Sequence, residues 1–328
     1  MCNEEFKIKI YEKFKNFKIK QKGDLKMKEV NHIITMKQYI GEKEYKEINE
    51  LQEIVILNDN VNLKLELDFK LDIQNNSEGS NKKINEFLYY VDDVLVAYLG
   101  ISCFGGNMAE LNGMTHPEWR RKGIFKKLFD LAIDECSRNG FKKILLLTDG
   151  KSKSGNEFIK AVGGEYDFSE YGMELIIQHL LENLVPINLR KAKASDKKEL
   201  SRQDLIYFSD KEENESFRVS AEEETEQIEE DESRIKNAYI AELNNEIIGK
   251  IHIEYNDDSA FILGFGVLPE FRGKGYGRAV LKAALKLISE KNIKQVELDV
   301  ADKNSRALNL YKSCGFKEKS VMNYFVKF

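Results

Sequence analysis

Residues 267–277 read VLPEFRGKGYG. A short β-rich run ends at Val267, and after this segment apolar residues recur with the period of a helix. Backbone N–H groups at the start of a helix lack partners within the helix and lie at the positive end of its dipole. Glycines there let an anion approach closely, and Arg272 and Lys274 add two positive charges. The segment therefore predicts a phosphate-binding loop between a strand and a helix.

Two familiar phosphate-binding motifs do not account for this loop. A dinucleotide-binding glycine motif follows the first strand of an alternating βαβ unit, and a P-loop needs G-x-x-x-x-G-K-S/T. Residues 267–277 meet neither condition. Glycine-rich turns also occur simply to cap a helix or turn the backbone. The rest of the chain must therefore decide between a turn and a binding site.

The same pattern occurs a second time, 152 residues earlier in the chain. Within the seven positions 117–123, five residues are identical to their counterparts at 269–275. These five are Pro117, Glu118, Arg120, Lys122 and Gly123. Identity concentrated at the loop indicates an internal repeat that includes a duplicated site.

Both copies share one order of predicted elements. Short β-rich runs are separated by pairs of turn-forming residues. The pairs are Asp92-Asp93, Gly105-Gly106, Asn244-Asn245 and Asp257-Asp258. Each loop is followed by an amphipathic helix, a strand, a short helix and a last strand. We therefore predict an α+β fold with mixed sheets, in two tandem units, each a mostly antiparallel twisted sheet flanked by helices.

The repeat also predicts the domain boundaries. Residues 1–31 would form a Lys-rich extension, residues 32–185 the first unit and residues 186–328 the second. A length of 328 residues supports this division, because single cores stop growing at roughly 250–300 residues. Residues 210–234 carry twelve acidic and three basic side chains, either as a solvated face or as a region that attracts a cationic acceptor.

Two motifs of the second copy resemble the GCN5-related N-acetyltransferase (GNAT) superfamily. RGKGYG at residues 272–277 fits that family's Q/R-x-x-G-x-G/A pyrophosphate loop. NSRALNLYKSCGF at residues 304–316 matches its N-x-x-A-x-x-L-Y-x-x-x-G-F segment. The resemblance covers residues 187–328 well and extends more weakly, through the repeat, to residues 32–186. The chain thus looks like a tandem GNAT protein.

The resemblance implies that the second unit binds acetyl-CoA. The backbone near Val267 and Leu268 would pair with the pantetheine arm, and Asn304 would contact the cofactor. The loop residues implied to hold the pyrophosphate are Arg272, Gly273, Lys274, Gly275, Tyr276 and Gly277. Tyr311 matches the family's usual general acid, and a phenol of pKa about 10 can protonate a departing thiolate. A buried structural tyrosine is the alternative interpretation.

A general base is harder to name from the residues. The strand before the loop, FILGFG at residues 261–266, carries no carboxylate, although many family members have a Glu there. Asp299 occupies the position of a catalytic Glu in the ribosomal-protein alanine acetyltransferases that this stretch resembles. Its shorter side chain leaves three alternatives: direct proton abstraction, a water relay, or a solvated strand carboxylate.

The first copy departs from the motif where chemistry would occur. A second candidate cofactor site comprises Arg120, Arg121, Lys122, Gly123, Ile124 and Phe125. Phe125 stands where the second copy has Gly277, which restricts close approach unless its side chain points away. Ile159, Ser152 and Leu147 replace Tyr311, Asn304 and Asp299. We therefore predict a structural or regulatory first unit.

The composition narrows the remaining possibilities. Four dispersed cysteines and four histidines predict no metal site, and a formal net charge of -5 argues against nucleic-acid binding. Since no apolar run approaches ~20 residues, we expect a cytoplasmic protein without membrane spans.

The predicted function is transfer of acetyl from acetyl-CoA to a primary amine of a small molecule or protein, by direct attack. The alternative is a non-catalytic acetyl-CoA-binding regulator or partner-binding protein. The residues leave open the acceptor, the acyl-chain preference, the oligomeric state and the role of residues 1–31.

Overall fold

A computed structural model describes residues 30–76, 83–103, 107–177, 186–208 and 233–327. Most of the predicted Lys-rich extension, residues 1–29, lies outside these residues, as do the Gly105-Gly106 turn and residues 209–232 of the acidic stretch. The chain forms two compact units. Unit 1 comprises residues 1–168 and 322–328, and unit 2 comprises residues 169–321. No helix in the described ranges is long and apolar enough to cross a membrane.

Unit 1 is a mixed sheet with helices on both faces. Its elements are β1 His32–Lys37, α1 Glu42–Asp59, α2 Leu67–Asn76, β2 Glu86–Val91, β3 Val94–Ser102, β4 Met108–Thr115, α3 Ile124–Arg138, β5 Lys143–Asp149, α4 Lys153–Ala161 and the start of β6 Glu165–Ile176. β1 to β4 form antiparallel pairs, and β4 pairs parallel with β5. α3 and α4 contribute to one buried cluster and α1 to another.

Unit 2 repeats this plan. Its elements are the rest of β6, β7 Asn188–Lys191, α5 Lys197–Phe208, α6 Ser233–Lys236, β8 Ala238–Leu243, β9 Glu246–Tyr255, β10 Ser259–Val267, α7 Tyr276–Glu290, β11 Gln295–Ala301, α8 Ser305–Ser313 and the start of β12 Lys317–Lys327. β7 to β10 form antiparallel pairs, and β10 pairs parallel with β11. The apolar side of α7 packs on this sheet in one cluster with Tyr311.

The predicted α+β architecture of two tandem repeats, each a mostly antiparallel sheet flanked by helices, is confirmed. The turn pairs Asp92-Asp93 and Asn244-Asn245 all have positive φ values, between 45° and 67°, as tight two-residue hairpins require. The apolar positions predicted for the helix after each loop are buried, including Leu128 and Ala132 in α3 and Val280 and Ala284 in α7. The periodicity in the sequence arises from this burial.

The last strand of each repeat takes its place in the other unit. Residues 170–176 of β6 pair antiparallel with β11 of unit 2. Residues 322–327 of β12 pair antiparallel with β5 of unit 1. The compact units therefore divide the chain after residues 168 and 321. The sequence-based boundary at residue 186 stays a prediction about the extent of the repeats.

Candidate functional site

The loop of unit 2 begins with one turn of 3₁₀ helix, Pro269–Phe271, and leads into α7. Gly273 and Gly275 have φ values of 75° and 84°, a region that side-chain-bearing residues avoid. A Cβ built on either glycine would meet no atom within 4 Å. The two glycines therefore set the path of the loop, and the space beside them is open.

The two basic side chains of this loop donate hydrogen bonds to nearby backbone carbonyl groups. Arg272 Nε donates a hydrogen bond to the carbonyl oxygen of Val267 at 2.7 Å. Lys274 Nζ donates to the carbonyl oxygen of Glu270 at 3.0 Å. Both positive charges are therefore held within the loop that precedes α7, which suits an anion of several phosphate oxygens.

A gap opens between β10 and β11 beside the loop. Only Ser259–Ile262 pair with β11, at Gln295–Leu298, and the ladder ends there. β10 then contains a bulge between Leu263 and Gly266, where Gly264 has a φ of 55°. A bulge bends the strand that carries it. The second half of β10 therefore leaves β11, and an extended ligand can enter between them.

Val267 and Leu268 use their backbone groups differently. The Leu268 N–H donates to the carbonyl oxygen of Ile248 on the β9 side, at 2.8 Å. Successive residues of an extended strand direct their N–H groups to opposite edges, so the Val267 N–H faces the gap. Of the two predicted pantetheine contacts, Val267 is the better placed.

Tyr311 lies in α8 and is only 7% exposed. Its ring centroid lies 6.4 Å from that of Phe265 on β10 and 5.9 Å from that of Phe316. Burial among these apolar groups raises the pKa of Tyr311 to about 12. The phenol is therefore protonated across the physiological pH range.

Asp299 lies on the opposite face of β11 from Tyr311. Leu298 and Val300 are buried in the cluster that contains Tyr311, whereas Asp299, between them, is exposed. On the neighbouring strand β6, Gly172 pairs with Asp299, and a Cβ on Gly172 would lie 3.5 Å from the Asp299 carboxylate. Tyr311 and Asp299, the two predicted catalytic residues, therefore lie on opposite faces of the sheet.

Asn304 caps the helix that carries Tyr311. Its Oδ1 accepts a hydrogen bond from the Ala307 N–H at 3.2 Å. In unit 1, Ser152 does the same for the Gly155 N–H at 3.1 Å. Asn and Ser are both preferred at this position. Serine in place of asparagine in unit 1 therefore preserves the helix cap, and only an exposed side-chain amide is lost.

Tyr207, on α5, was not predicted from the sequence. The Tyr207 ring lies against Gly266, where an added Cβ would be 2.3 Å from it, and 5.8 Å from the Arg272 guanidinium. The buried Lys250 ties α5 to the sheet through the Leu200 carbonyl oxygen at 3.3 Å and through Asp204. A glycine at position 266 leaves room for an aromatic ring, which was the one hint in the sequence. Tyr207, which supplies the ring, lies 59 residues earlier, so no local pattern connects the two.

The loop of unit 1 has the same backbone path. Arg121 has a φ of 61° where unit 2 has Gly273, and Gly123 has a φ of 76°. Arg120 Nε donates to the Thr115 carbonyl oxygen at 3.1 Å, as Arg272 does to Val267. Lys122 Nζ lies 4.2 Å from the centre of the Trp119 ring.

Arg120 also forms a two-bond ion pair with Asp59, the last residue of α1. The Arg120 Nη atoms donate to the two Asp59 oxygens at 2.9 and 2.6 Å. Burial of Asp59 opposes its ionisation, but hydrogen bonds from Arg120 and Asn58 outweigh this and lower the pKa of Asp59. The charge of Arg120 is thus partly neutralised.

The ring of Phe125 points inward, away from the mouth of the loop. Its centroid lies 4.9 Å from that of Phe158 on α4, and a Cβ on Gly113 of β4 would be 3.0 Å from it. In unit 2 the corresponding residues are Phe265 on the strand and Gly277 on the helix. Each unit therefore has one phenyl ring in the layer between this strand and this helix. In unit 1 the helix supplies the ring, and in unit 2 the strand does.

Unit 1 contains a cavity of about 570 Å³. It reaches from the Arg121–Lys126 segment past β4 and β5 to the end of α1. Ile159 and Leu147, the counterparts of Tyr311 and Asp299, line it. No cluster of three or more His, Cys, Asp or Glu side chains that could hold a metal ion occurs among the described residues.

A family model matches both repeats. The model of the Acetyltransferase (GNAT) family matches residues 57–163 and 203–316. Together these segments cover more than half of the chain. The chain belongs to the GNAT acetyltransferase family.

Two curated proteins similar to this GNAT chain are named as N-acetyltransferases. An N-alpha-acetyltransferase of Sulfurisphaera tokodaii is 33% identical over 100 residues, covering 26% of this chain and 60% of that protein. A [ribosomal protein bS18]-alanine N-acetyltransferase of Haemophilus influenzae is 33% identical over 85 residues, covering 26% of this chain and 58% of that protein. The chain thus spans about 60% of the length of these relatives.

Solved structures share the fold of this GNAT chain over most of its length. A GCN5-related N-acetyltransferase from Sphaerobacter thermophilus superimposes with a TM-score of 0.71 at 16% identity, covering 90% of this chain and 95% of that one. A tandem GNAT protein from the clavulanic acid biosynthesis pathway gives 0.61 at 12% identity, covering 90% and 98%. At these identities the similarity shows the fold alone.

Proposed function

We propose that this GNAT chain transfers acetyl from acetyl-CoA to a primary amine, and that unit 2 catalyses the transfer. The observation that carries the proposal is the position of Tyr311. A phenol only 7% exposed packs against Phe265 on β10, the strand that borders the gap and leads into the cationic loop. Unit 1 has an isoleucine at the same position.

The residues of unit 2 fit acetyl-CoA. Gly273 and Gly275 leave free space that any Cβ would narrow, and Arg272 and Lys274 supply charge for the pyrophosphate. The Val267 N–H, on the gap edge of β10, suits the amide groups of a pantetheine arm. Bound there, the thioester would supply an activated acetyl group.

Tyr311 would donate the proton that the departing thiolate needs. A raised pKa keeps the phenol protonated until sulfur accumulates negative charge, and its apolar surroundings exclude competing water. The hydroxyl would act from the side of the sheet on which α7 and α8 pack.

Asp299 would act from the opposite side, where the amine would enter. Amines of pKa near 10 are mostly protonated at neutral pH, so a proton must leave before attack. The exposed Asp299 carboxylate could accept it through a water molecule. Tyr207, which lies against Gly266 on β10, would form part of the wall along which the acceptor arrives.

The acceptor of this chain is expected to be an amine. One relative is named for the alanine of a ribosomal protein and another for an α-amino group, which makes protein N-termini candidates here. Small amines remain equally compatible with an exposed Asp299.

A steady-state assay of CoA release over an amine and peptide panel tests the proposal. Tyr311→Phe should lower kcat about 10²-fold, the usual contribution of general acid catalysis. Arg272→Ala should raise the KM for acetyl-CoA about tenfold, because a charged hydrogen bond to phosphate is lost.

Arg120→Ala is the matched control, since this arginine holds the same position in unit 1. It should leave both constants within about twofold. Full turnover in Tyr311→Phe and Arg272→Ala together with loss in Arg120→Ala would move catalysis to unit 1. Acetyl-CoA binding without turnover of any acceptor would instead support a regulatory protein.

A further inference from the structure

We propose that Tyr207 restricts the acyl group that unit 2 accepts to acetyl, and that the buried Lys250 holds Tyr207 in place. The inference rests on the proposed function and deepens it, because it assigns to one residue the choice among acyl-CoA donors. Its physical basis is an aromatic ring that fills one face of the sheet beside the gap.

The expected cofactor contacts follow one another along β10. The pyrophosphate would bind at residues 272–277 and the pantetheine arm at the Val267 N–H. An extended ligand that continues in this direction reaches Gly266 next, and then the bulge that opens the gap. Tyr311 packs near this stretch on the side of the sheet that carries α7. The acyl group would therefore lie beside Gly266.

The Tyr207 ring covers Gly266 from the face of the sheet opposite α7. Ile251 on β9 packs in the cluster with α7, so the preceding residue, Lys250, faces the other way, toward α5. Lys250 pairs with Gly266 across the ladder of β9 and β10, which places Gly266 on that same face. A Cβ on Gly266 would lie 2.3 Å from two carbons of the Tyr207 ring and 2.7 Å from a third. The ring thus occupies the space beside this glycine.

An acyl chain longer than acetyl would meet this ring. On the α7 face the space is bounded by Phe265 and Tyr311, whose ring centroids lie 6.4 Å apart, and on the other face by Tyr207. Extra methylenes forced into filled space displace side chains from their preferred positions, which is unfavourable. The ring therefore favours acetyl-CoA over propionyl-CoA and butyryl-CoA.

Buried partners hold the Tyr207 ring in place. Lys250 is fully buried, and its Nζ donates to the Leu200 carbonyl oxygen at 3.3 Å and forms an ion pair with Asp204, both on α5. Asp204 precedes Tyr207 by three residues, which is about one helical turn. The Tyr207 hydroxyl donates to Gln203 Oε1 at 2.8 Å, and Gln203 is fully buried too. Moving the ring aside for a longer chain would break buried polar contacts, which is costly.

Unit 1 fills the corresponding space in another way. The counterparts of Gly266 and Lys250 are Met114 and Tyr98, and both are buried in one apolar cluster. With a methionine in place of the glycine, the strand itself supplies the side chain at this position. The ring over a glycine is therefore a feature of the unit to which the acetyl transfer is assigned.

Titration calorimetry on the full chain with acetyl-CoA and butyryl-CoA tests the inference without an acceptor. The unaltered protein should bind butyryl-CoA at least about tenfold more weakly than acetyl-CoA, and Tyr207→Ala should reduce this ratio to about twofold or less. Because both ligands share the CoA group, a general loss of affinity or of folded protein cancels in the ratio. Arg272→Ala should weaken both ligands and so identifies the site of unit 2 among the binding events.

Three further variants separate the ring from its surroundings. Tyr207→Phe keeps the ring and should keep the ratio. Ile206→Ala, at a 38% exposed position beside it, is the matched control and should change nothing. Lys250→Met should lower the ratio, because α5 loses its anchor to the sheet, while the Asp204 side chain, 36% exposed, can be hydrated.

The contrary outcomes are distinct. Equal affinities for acetyl-CoA and butyryl-CoA in the unaltered protein, or an unchanged ratio in Tyr207→Ala, would overturn the acyl limit. A lowered ratio in Tyr207→Phe or Ile206→Ala would contradict the ring as its cause, and an unchanged ratio in Lys250→Met would contradict the anchor. The proposed transfer fails separately: no release of CoA with any amine, beside the expected ratio in binding, would refute the transfer and support the acyl limit.

Discussion

At the scale of single residues, Asn304 and Ser152 show how one position can serve two purposes. Both cap the short helix after the fifth strand of their repeat, so both satisfy the same local requirement. Only Asn304 adds an amide that a cofactor could use. A family motif identifies such a residue without separating the structural role from the binding role.

The pH profile of the acyl transfer should reflect the raised pKa of Tyr311. Burial places that pKa at about 12, so the acid form persists up to pH 10 and loss of the acid begins only as the pH approaches 12. The rate should therefore rise with pH as the amine loses its proton, without an alkaline fall below pH 10. Rates measured from pH 6 to 10, with saturating acetyl-CoA, check this.

Tyr311→Phe supplies the comparison for that profile. It should lower the rate by a similar factor at every pH in this window. An alkaline fall centred below pH 10 in the unaltered protein that disappears in Tyr311→Phe would contradict a buried phenol as the acid.

At the scale of elements, the two units differ in which element supplies the phenyl ring between the strand and the helix. Phe265 on β10 and Gly277 in α7 correspond to Gly113 on β4 and Phe125 in α3. A Cβ on Gly277 would already lie 3.4 Å from Leu310 and 4.0 Å from Phe265. The layer accommodates one phenyl ring, whichever element supplies it.

Gly277→Phe alone should therefore overpack this layer and destabilise unit 2 by about 1–3 kcal/mol. The double variant Phe265→Gly with Gly277→Phe copies unit 1 and should recover most of that loss. Thermal unfolding followed by circular dichroism measures both. Equal destabilisation in the single and double variants would rule out a shared space for the ring.

The elements themselves were largely predictable, and the family resemblance implied a gap between neighbouring strands, but the bulge that opens the gap was not predicted. Hairpins at Asp92-Asp93 and Asn244-Asn245 follow from local turn chemistry, and the helices follow from the periodicity of their buried positions. The bulge at Gly264 depends on how β10 meets two neighbouring strands. The ion pair of Arg120 with Asp59 likewise joins residues 61 positions apart, which no local pattern reports.

At the scale of the whole molecule, the exchange of last strands could not be read from the repeat. A shift of 152 residues assigns each strand to its own copy, because β6 and β12 follow the same order of elements in both. The partner of β6 or β12 is a strand distant in the sequence, and β5 and β11 offer similar edges for pairing. The site residues of unit 2 were predictable because they belong to two short local motifs.

Removing residues 322–327 of β12 should destabilise unit 1, although these residues follow unit 2 in the sequence. Tyr324 and Val326 are buried in one cluster with Leu145 and Leu147 of β5. The Tyr324 ring stacks on that of Phe168, with 4.4 Å between the ring centroids. We expect faster amide hydrogen exchange in β5 and a fall in Tm of about 5 °C or more. Mass spectrometry of exchange, segment by segment, measures the first effect.

Tyr324→Ala is a milder form of the same test, expected to cost about 3 kcal/mol as other large-to-small aromatic substitutions do. In both variants β11 should exchange at its normal rate, since its partner on that edge is β6. Faster exchange in β11 with an unchanged β5 would contradict the strand assignment.

The exchanged strand also constrains how the protein is made. When a ribosome has completed the first repeat, β5 lacks the strand that later pairs with it, because that strand, residues 322–327, follows the second repeat in the sequence. The sheet of unit 1 would therefore keep an open edge at β5 until residues 322–327 emerge from the exit tunnel. Synthesis of the C-terminal repeat thus becomes a condition for finishing the N-terminal one.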